Sequence, residues 1–203
     1  MSISAQERTR IANAIRSAET KTSGEIVCVL ARSSSHATAL PVLLAAAIAL
    51  ALPWLLVACT ALTVERILLL QVAVFLVLLL LLSVPRVRTA LMPRKTRRAI
   101  AHRAAMEQFA MRGLAHKKDR SGILIFVSLA ERYARIIADD GIAARVPQAE
   151  WQAAIDALIA HMRDGRIADG FVTAIDLCGE KLAAHFPRTT TGVDELPDRI
   201  YVI

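Results

Sequence analysis

Early in the chain, apolar positions fall three and four residues apart. Ile11, Ile15 and Ala18 recur this way in a stretch otherwise rich in charge, and that spacing lines one face of a helix. Ser4 and Glu7 stand three apart just before them, the pattern of a capping box. An amphipathic helix is therefore expected from Ser4 to about Glu19. Beyond Gly24 the pattern changes, and Glu25 to Leu30, rich in Val and Ile, reads as a strand. From Leu40 periodicity disappears. Leu40 to Leu62 is a run of 23 residues without a charge, and Ile67 to Val84 adds 18 more. As helices these would extend about 34 and 27 Å, against a hydrocarbon core about 30 Å thick. Only Thr63, Val64, Glu65 and Arg66 separate them, too few to recross a bilayer. An antiparallel transmembrane hairpin is expected, with Pro53 tolerated inside its first span.

Periodicity returns after the hairpin. A basic helix is expected from about Arg94 to Met111, with Ile100, Ala104 and Phe109 as its inner face and Gly113 as its stop. Gly122 to Ser128 is continuously apolar, as a buried central strand requires. Tyr133 to Ala138 reads as its hairpin partner, joined through Leu129, Ala130, Glu131 and Arg132. Behind Pro147, the residues Trp151, Ile155, Leu158, Ile159 and Met162 share a helical face. A turn at Asp164-Gly165 then leads through Asp169-Gly170 to a last helix, Phe171 to His185. The closing "RIYVI" suits a short edge strand. One helix and one strand cannot fold alone, and an antiparallel hairpin returns the chain to the side it left. Strand 25–30 is therefore expected to lie beside strand 122–128. The fold class is α/β, with helices on a small mixed sheet interrupted by a two-helix transmembrane hairpin. Residues 1–39 hold the first helix and strand, 40–84 the hairpin (spans 40–62 and 67–84), 85–187 the remainder of the soluble domain, and 188–203 a tail.

Charge adds orientation. The chain of 203 residues carries a net charge of +7. With aromatic residues at only 4%, platforms for stacking on single strands are scarce, and no nucleic-acid partner is expected. The basic residues cluster instead beside the second span: Arg86, Arg88, Arg94, Lys95, Arg97 and Arg98, with no acidic residue among them. The opposite face offers one Arg beside one Glu. The positive-inside rule then places both termini in the cytoplasm, in the cell membrane or, for a bacterium, the inner membrane. The same six charges suit anionic lipid headgroups. Cys28, Cys59 and Cys178 lie far apart and form no Cys-x-x-Cys pair, so buried structural thiols are expected rather than a disulfide framework or a zinc site.

In element order the sequence resembles the TPM domain family. The resemblance rests on the leading helix followed by "TSGEIVCVL", then "DRSGILIFVSLAERYARIIADDGI", then "VPQAEWQAAIDALIAHMRDGRIADGFVTAIDLCGEKL". Asp119 to Ile142 is its most specific part, and the resemblance covers about residues 4–32 and 97–187. It implies an α/β domain whose relatives include proteins described as acid phosphatases and as calcium-binding. Many relatives carry the domain outside the cell, whereas a hairpin within the domain departs from that plan.

The residues themselves supply no catalytic motif. There is no Cys-x5-Arg, Gly-x-Ser-x-Gly, phosphate-binding Gly-rich loop, His-Glu-x-x-His or EF-hand pattern. His36, His102, His116, His161 and His185 are scattered without ligand spacing. One acidic constellation comes from register. If Ser128 pairs with Tyr133, Gly122 lies opposite Asp139, and Asp119 falls near Asp139 and Asp140 at the same sheet end. Three carboxylates there suit Ca²⁺ or Mg²⁺. The competing reading is that Asp139 or Asp140 caps the next helix and Asp119 pairs with Lys117 or Arg120. The expected function is a membrane-anchored, non-enzymatic interaction or accessory module binding a divalent metal. The alternative is a metal-assisted phosphatase using the Asp cluster.

Overall fold

A computed structural model describes residues 3–34, 39–84, 87, 92–114, 121–188 and 197–203. The chain divides into two compact units, one of residues 1–34 and 100–203, the other of residues 35–99.

The first unit is built on a four-stranded mixed sheet. Helix α1 (Ala5–Glu19) starts from a complete capping box: Ser4 Oγ accepts from Glu7 N–H at 3.2 Å, and Glu7 accepts from Ser4 N–H at 2.7 Å. That pair holds the Glu7 carboxyl below its ordinary range, through the Ser4 backbone bond first and its hydroxyl second. Ile11, Ile15 and Ala18 are the buried positions of α1, as the spacing requires. Strand β1 (Glu25–Ala31) follows, and the chain returns to the sheet only at β2 (Gly122–Ser128). These two strands pair in parallel, Glu25 opposite Gly122 through Ala31 opposite Ser128. Strands separated by about ninety residues of sequence are thus direct neighbours, with the apolar hairpin between them in the chain. β3 (Tyr133–Ala138) pairs antiparallel with β2 in the expected register, Ser128 opposite Tyr133. The terminal residues form β4 (Ile200–Val202), parallel to β1, giving the order β3-β2-β1-β4.

Both faces of the two central strands are covered, so every residue of β1 and β2 is buried. Alternation sends Ile26, Cys28, Leu30, Ile123, Ile125 and Val127 to one face. Their partners come from α1, α6 (Gln152–Arg163) and α7 (Ile167–His185), with Trp151, Leu158, Phe171 and Ile175 the largest contributions. Val27, Val29, Leu124 and Phe126 face the other way, toward Ala105 and Phe109 of α4 (Arg94–Met111) and Leu114. The buried stripe of α4 is Ala101, Ala105 and Phe109, one position round from the expected Ile100 and Ala104. Ala105 and Phe109 pack with the residues of this sheet face, and Ile100 sits half-buried. α4 ends where expected, with Gly113 at φ 79°, a conformation glycine adopts without penalty.

The last helix departs from expectation at its start. Asp169 and Gly170 are not a turn but belong to the first turns of α7, which begins at Ile167. Gly170 is there for packing, because a Cβ would lie 3.0 Å from the Leu158 carbonyl of α6. A small residue that permits helix contact looks, in sequence, like a loop glycine. Trp151 likewise belongs to a single 3-10 turn, Gln148–Trp151, that precedes α6.

The second unit contains α2 (Ala39–Cys59) and α3 (Val64–Ser83), which pack along each other. The connection is Thr60–Thr63, three residues earlier than expected, and Glu65 and Arg66 lie inside α3. Thr63 is the N-cap with extended backbone, and Glu65 occupies the first turn, where a negative charge complements the helix dipole.

Candidate functional site

The start of the parallel strands carries the acidic residues. The Asp139 N–H donates to the Gly122 carbonyl at 2.9 Å, extending the β2–β3 ladder by one bond. Glu25 stands opposite Gly122 on the other side, so Glu25, Gly122 and Asp139 form a row across three strands. Both carboxyl side chains are buried, at 4% and 8% exposure. A Cβ at position 122 would fall 2.4 Å from Leu114 Cδ2, so a larger residue there would require the Leu114 side chain to shift. The edge is tied down by Ser121, whose carbonyl accepts from Glu25 N–H at 3.0 Å and whose hydroxyl donates to the Ser23 carbonyl at 3.1 Å.

Asp139 divides its two oxygens between two environments. Oδ1 accepts from Asp140 N–H at 2.8 Å, and Asp139 is the N-cap of the short helix α5 (Asp140–Ala143). Oδ2 is buried and has no hydrogen-bond partner among the described residues. Capping therefore accounts for half of this carboxylate and leaves one oxygen aimed into the structure. Asp140 is exposed at the first position of α5. Asp119 lies outside the described residues, as do Lys117 and Arg120, its expected ion-pair partners. Among the described residues, no three His, Cys, Asp or Glu side chains are grouped so as to hold a metal ion.

A third buried carboxylate, not anticipated from sequence, occupies the opposite end of the sheet. Glu131 sits in the β2–β3 turn at 5% exposure. It accepts from Ser33 Oγ at 3.1 Å, from Ser34 N–H at 3.0 Å and, by a short contact, from the buried Ser128 hydroxyl. Two backbone bonds reinforce the junction, Leu129 N–H to the Ala31 carbonyl and Ala130 N–H to the Arg32 carbonyl. Glu131 thereby clamps the chain as it leaves β1 toward the hairpin. The sequence signal was faint: one acidic residue in a turn, and a run of serines about a hundred residues earlier.

His102 Nδ1 lies 3.2 Å from the Tyr133 hydroxyl, and His161 Nε2 lies 3.4 Å from Thr173 Oγ1. The His185 carbonyl accepts from Arg145 at 3.4 Å, whereas His36 and His116 fall outside the described residues. Cys28 and Cys178 are buried free thiols, and burial pushes both well above the ordinary thiol range. Cys59, expected to be buried, is exposed at the end of α2.

The hairpin unit differs sharply in surface chemistry from the sheet unit. Val42–Cys59 and Val64–Ser83 each average a hydropathy of 2.6 and are long and apolar enough to cross a membrane. Only 11% of each is buried, so their side chains point outward; Trp54 is 82% exposed. Ala45 and Ala49, four residues apart, are buried positions of α2, a small-residue spacing that lets membrane helices approach closely. Of the expected basic cluster, Arg94, Lys95, Arg97 and Arg98 occupy the first turns of α4, and Arg86 and Arg88 lie outside the described residues.

Similarity to known proteins agrees with this architecture. The family model described as the TPM domain matches residues 87–181, which begin just after the hairpin. No curated protein matches the chain. Among solved structures, the NMR structure of the BA42 protein from the psychrophilic bacterium Bizionia argentinensis is similar in fold. It has a TM-score of 0.64 at 22% identity, covering 100% of this chain and 97% of that one. At that identity the likeness is one of fold alone. The matched segment supplies β2 and β3, and the preceding β1 pairs with β2 in parallel register. Residues 87–181 therefore match the TPM domain, and two long apolar helices precede them in the sequence, between β1 and β2.

Proposed function

We propose that this protein is a membrane-anchored TPM domain acting as a non-enzymatic interaction or accessory module. The observation that carries the reading is the outward apolar surface of α2 and α3. In water such helices would bury those side chains against a core; in lipid they need not. The positive-inside rule applied to Arg94, Lys95, Arg97 and Arg98, together with Arg86 and Arg88, puts both termini in the cytoplasm. The test is alkaline carbonate extraction of membranes from cells expressing the full chain. The protein is expected to stay wholly in the pellet; release into the supernatant would refute the anchor.

The same module is proposed to bind a divalent cation at the acidic end of the sheet. The buried, unpartnered Oδ2 of Asp139 favours this, since a buried carboxylate oxygen without a donor is costly unless a cation meets it. Asp139, Asp140 and Asp119 would supply hard oxygen ligands suited to Ca²⁺ or Mg²⁺. Binding to the native state alone raises stability by about 2.7 kcal/mol at a hundred times Kd. The melting temperature of the full chain should therefore climb with Ca²⁺ or Mg²⁺, and Asp139→Asn with Asp140→Asn should abolish the climb. Asn preserves the cap, so the ion-free melting point should barely move. Cation-independent melting of the wild type would end this reading. Cation-dependent hydrolysis of a phosphomonoester by the purified protein would instead favour the phosphatase alternative.

A further inference from the structure

Resting on the reading of the sheet unit as an interaction module, we propose that the outer edge of β4 takes up an extended acidic segment of a partner protein by strand addition. β4 is the last strand of the sheet and pairs only with β1 among the described residues. The Ile203 N–H donates to the Leu30 carbonyl at 3.0 Å, and the Ile203 carbonyl accepts from Arg32 N–H at 2.8 Å. Backbone groups of successive strand residues point to opposite edges, so Tyr201, two residues earlier and opposite Val29, also bonds inward. Ile200 and Val202 therefore turn their N–H and C=O groups to the outer edge. Neither makes a backbone hydrogen bond there among the described residues. An open edge of this kind is a template for one more strand.

The side chains along that edge select the incoming strand. The guanidinium carbon of Arg112 lies 3.6 Å from the centre of the Tyr201 ring, and that of Arg199 lies 4.7 Å from it. Two cations are thus gathered on one ring, where they repel each other. Arg112 donates to the amide oxygen of Gln108, and neither arginine forms an ion pair with a described residue. Carboxylates on an added strand would offset that repulsion. A second copy of this chain would instead bring its own Arg112 and Arg199 to the seam, and like charges facing each other across an interface disfavour it. Tyr201 packs on the sheet face that holds Phe109 of α4, whereas Ile200 is buried with Ile11 and Ile15 of α1 on the other. The added strand therefore alternates, with acidic residues on the face of Tyr201 and apolar residues on the face of Ile200.

The experiment uses the full chain in an uncharged detergent and a fluorescein-labelled peptide of alternating glutamate and valine, with binding followed by fluorescence anisotropy. The peptide is expected to bind saturably, and more weakly as salt is raised. Replacing its glutamates with lysine, or methylating the backbone nitrogens that would face β4, should abolish binding; neither control alters the protein. Arg199→Gln, at an exposed position, should lower the affinity about threefold, and Arg112→Gln with Arg199→Gln about tenfold, at about threefold for each exposed ion pair. Hydrogen exchange should show the Val202 amide gaining protection when the glutamate peptide is bound. No binding, equal binding of the lysine or methylated peptide, or full affinity in the double variant overturns the proposal. Carbonate extraction tests the anchor without reference to this edge, so failure of the strand addition and failure of the anchored module are read separately.

Discussion

Val27→Asp is expected to unfold the sheet unit at neutral pH and to let it regain stability as the pH falls. Val27 is 3% exposed, pairs with Leu124 in the parallel register, and belongs to the cluster of Val29, Phe126 and Phe109. A carboxylate there has no partner, so burial raises its pKa above the unfolded value of about 3.9. Holding it protonated at pH 7 costs about 4 kcal/mol, from about three pKa units at 1.36 kcal/mol each. Lost valine burial adds about 1–2 kcal/mol. Against a total of about 5–15 kcal/mol for a typical domain, that is most of the stability. The sign follows from linkage. With the folded pKa raised, the electrostatic penalty is full above that pKa and vanishes below the unfolded one, near pH 4. Val27→Thr, polar but uncharged, should destabilise without this pH dependence. Denaturant unfolding of both variants between pH 7 and pH 4.5 checks the difference. Equal stability of Val27→Asp and wild type at pH 7 would mean that β1 does not pair with β2.

Glu131→Ala should cost about 3 kcal/mol, a loss that is concentrated where the chain leaves β1. The substitution removes the acceptor for Ser33 Oγ, Ser34 N–H and Ser128 Oγ together. Hydrogen bonds to a charged group each contribute about 1.5–3 kcal/mol, and a buried donor left unmet costs about 1–3 kcal/mol. Ser128, only 1% exposed, has no route to water. The Ser34 amide should exchange with solvent much faster in the variant, while the Asp139 amide, at the far end of β2 and β3, should change only as far as global stability falls. Glu131→Gln keeps one acceptor oxygen and should fall between wild type and alanine. Unaltered exchange at Ser34 would remove Glu131 from its role as a clamp.

Local pattern determined most of the elements. The capping box at Ser4 and Glu7, the uninterrupted apolar run Gly122–Ser128, and the register of Ser128 against Tyr133 depend on neighbours within a few residues. Such signals survive in sequence because helix and strand periods are local properties of the backbone. The pairing of Glu25–Leu30 with Gly122–Ser128 was also legible, through unmet apolar faces and an antiparallel hairpin that returns the chain to its starting side. What tertiary structure alone decided was the use of individual side chains. Gly170 has the look of a loop residue until the Leu158 carbonyl of α6 is seen to stand 3.0 Å from where its Cβ would lie. Ile100 is a larger hydrophobe than Ala101, yet Ala101, Ala105 and Phe109 are the buried stripe and Ile100 is left half-buried. Glu131 resembles any charged turn residue until Ser33 and Ser34 arrive from β1 to bond it. Each of these turns on a contact between segments far apart in the chain, and sequence spacing cannot report which of many distant atoms will fill a given few ångströms.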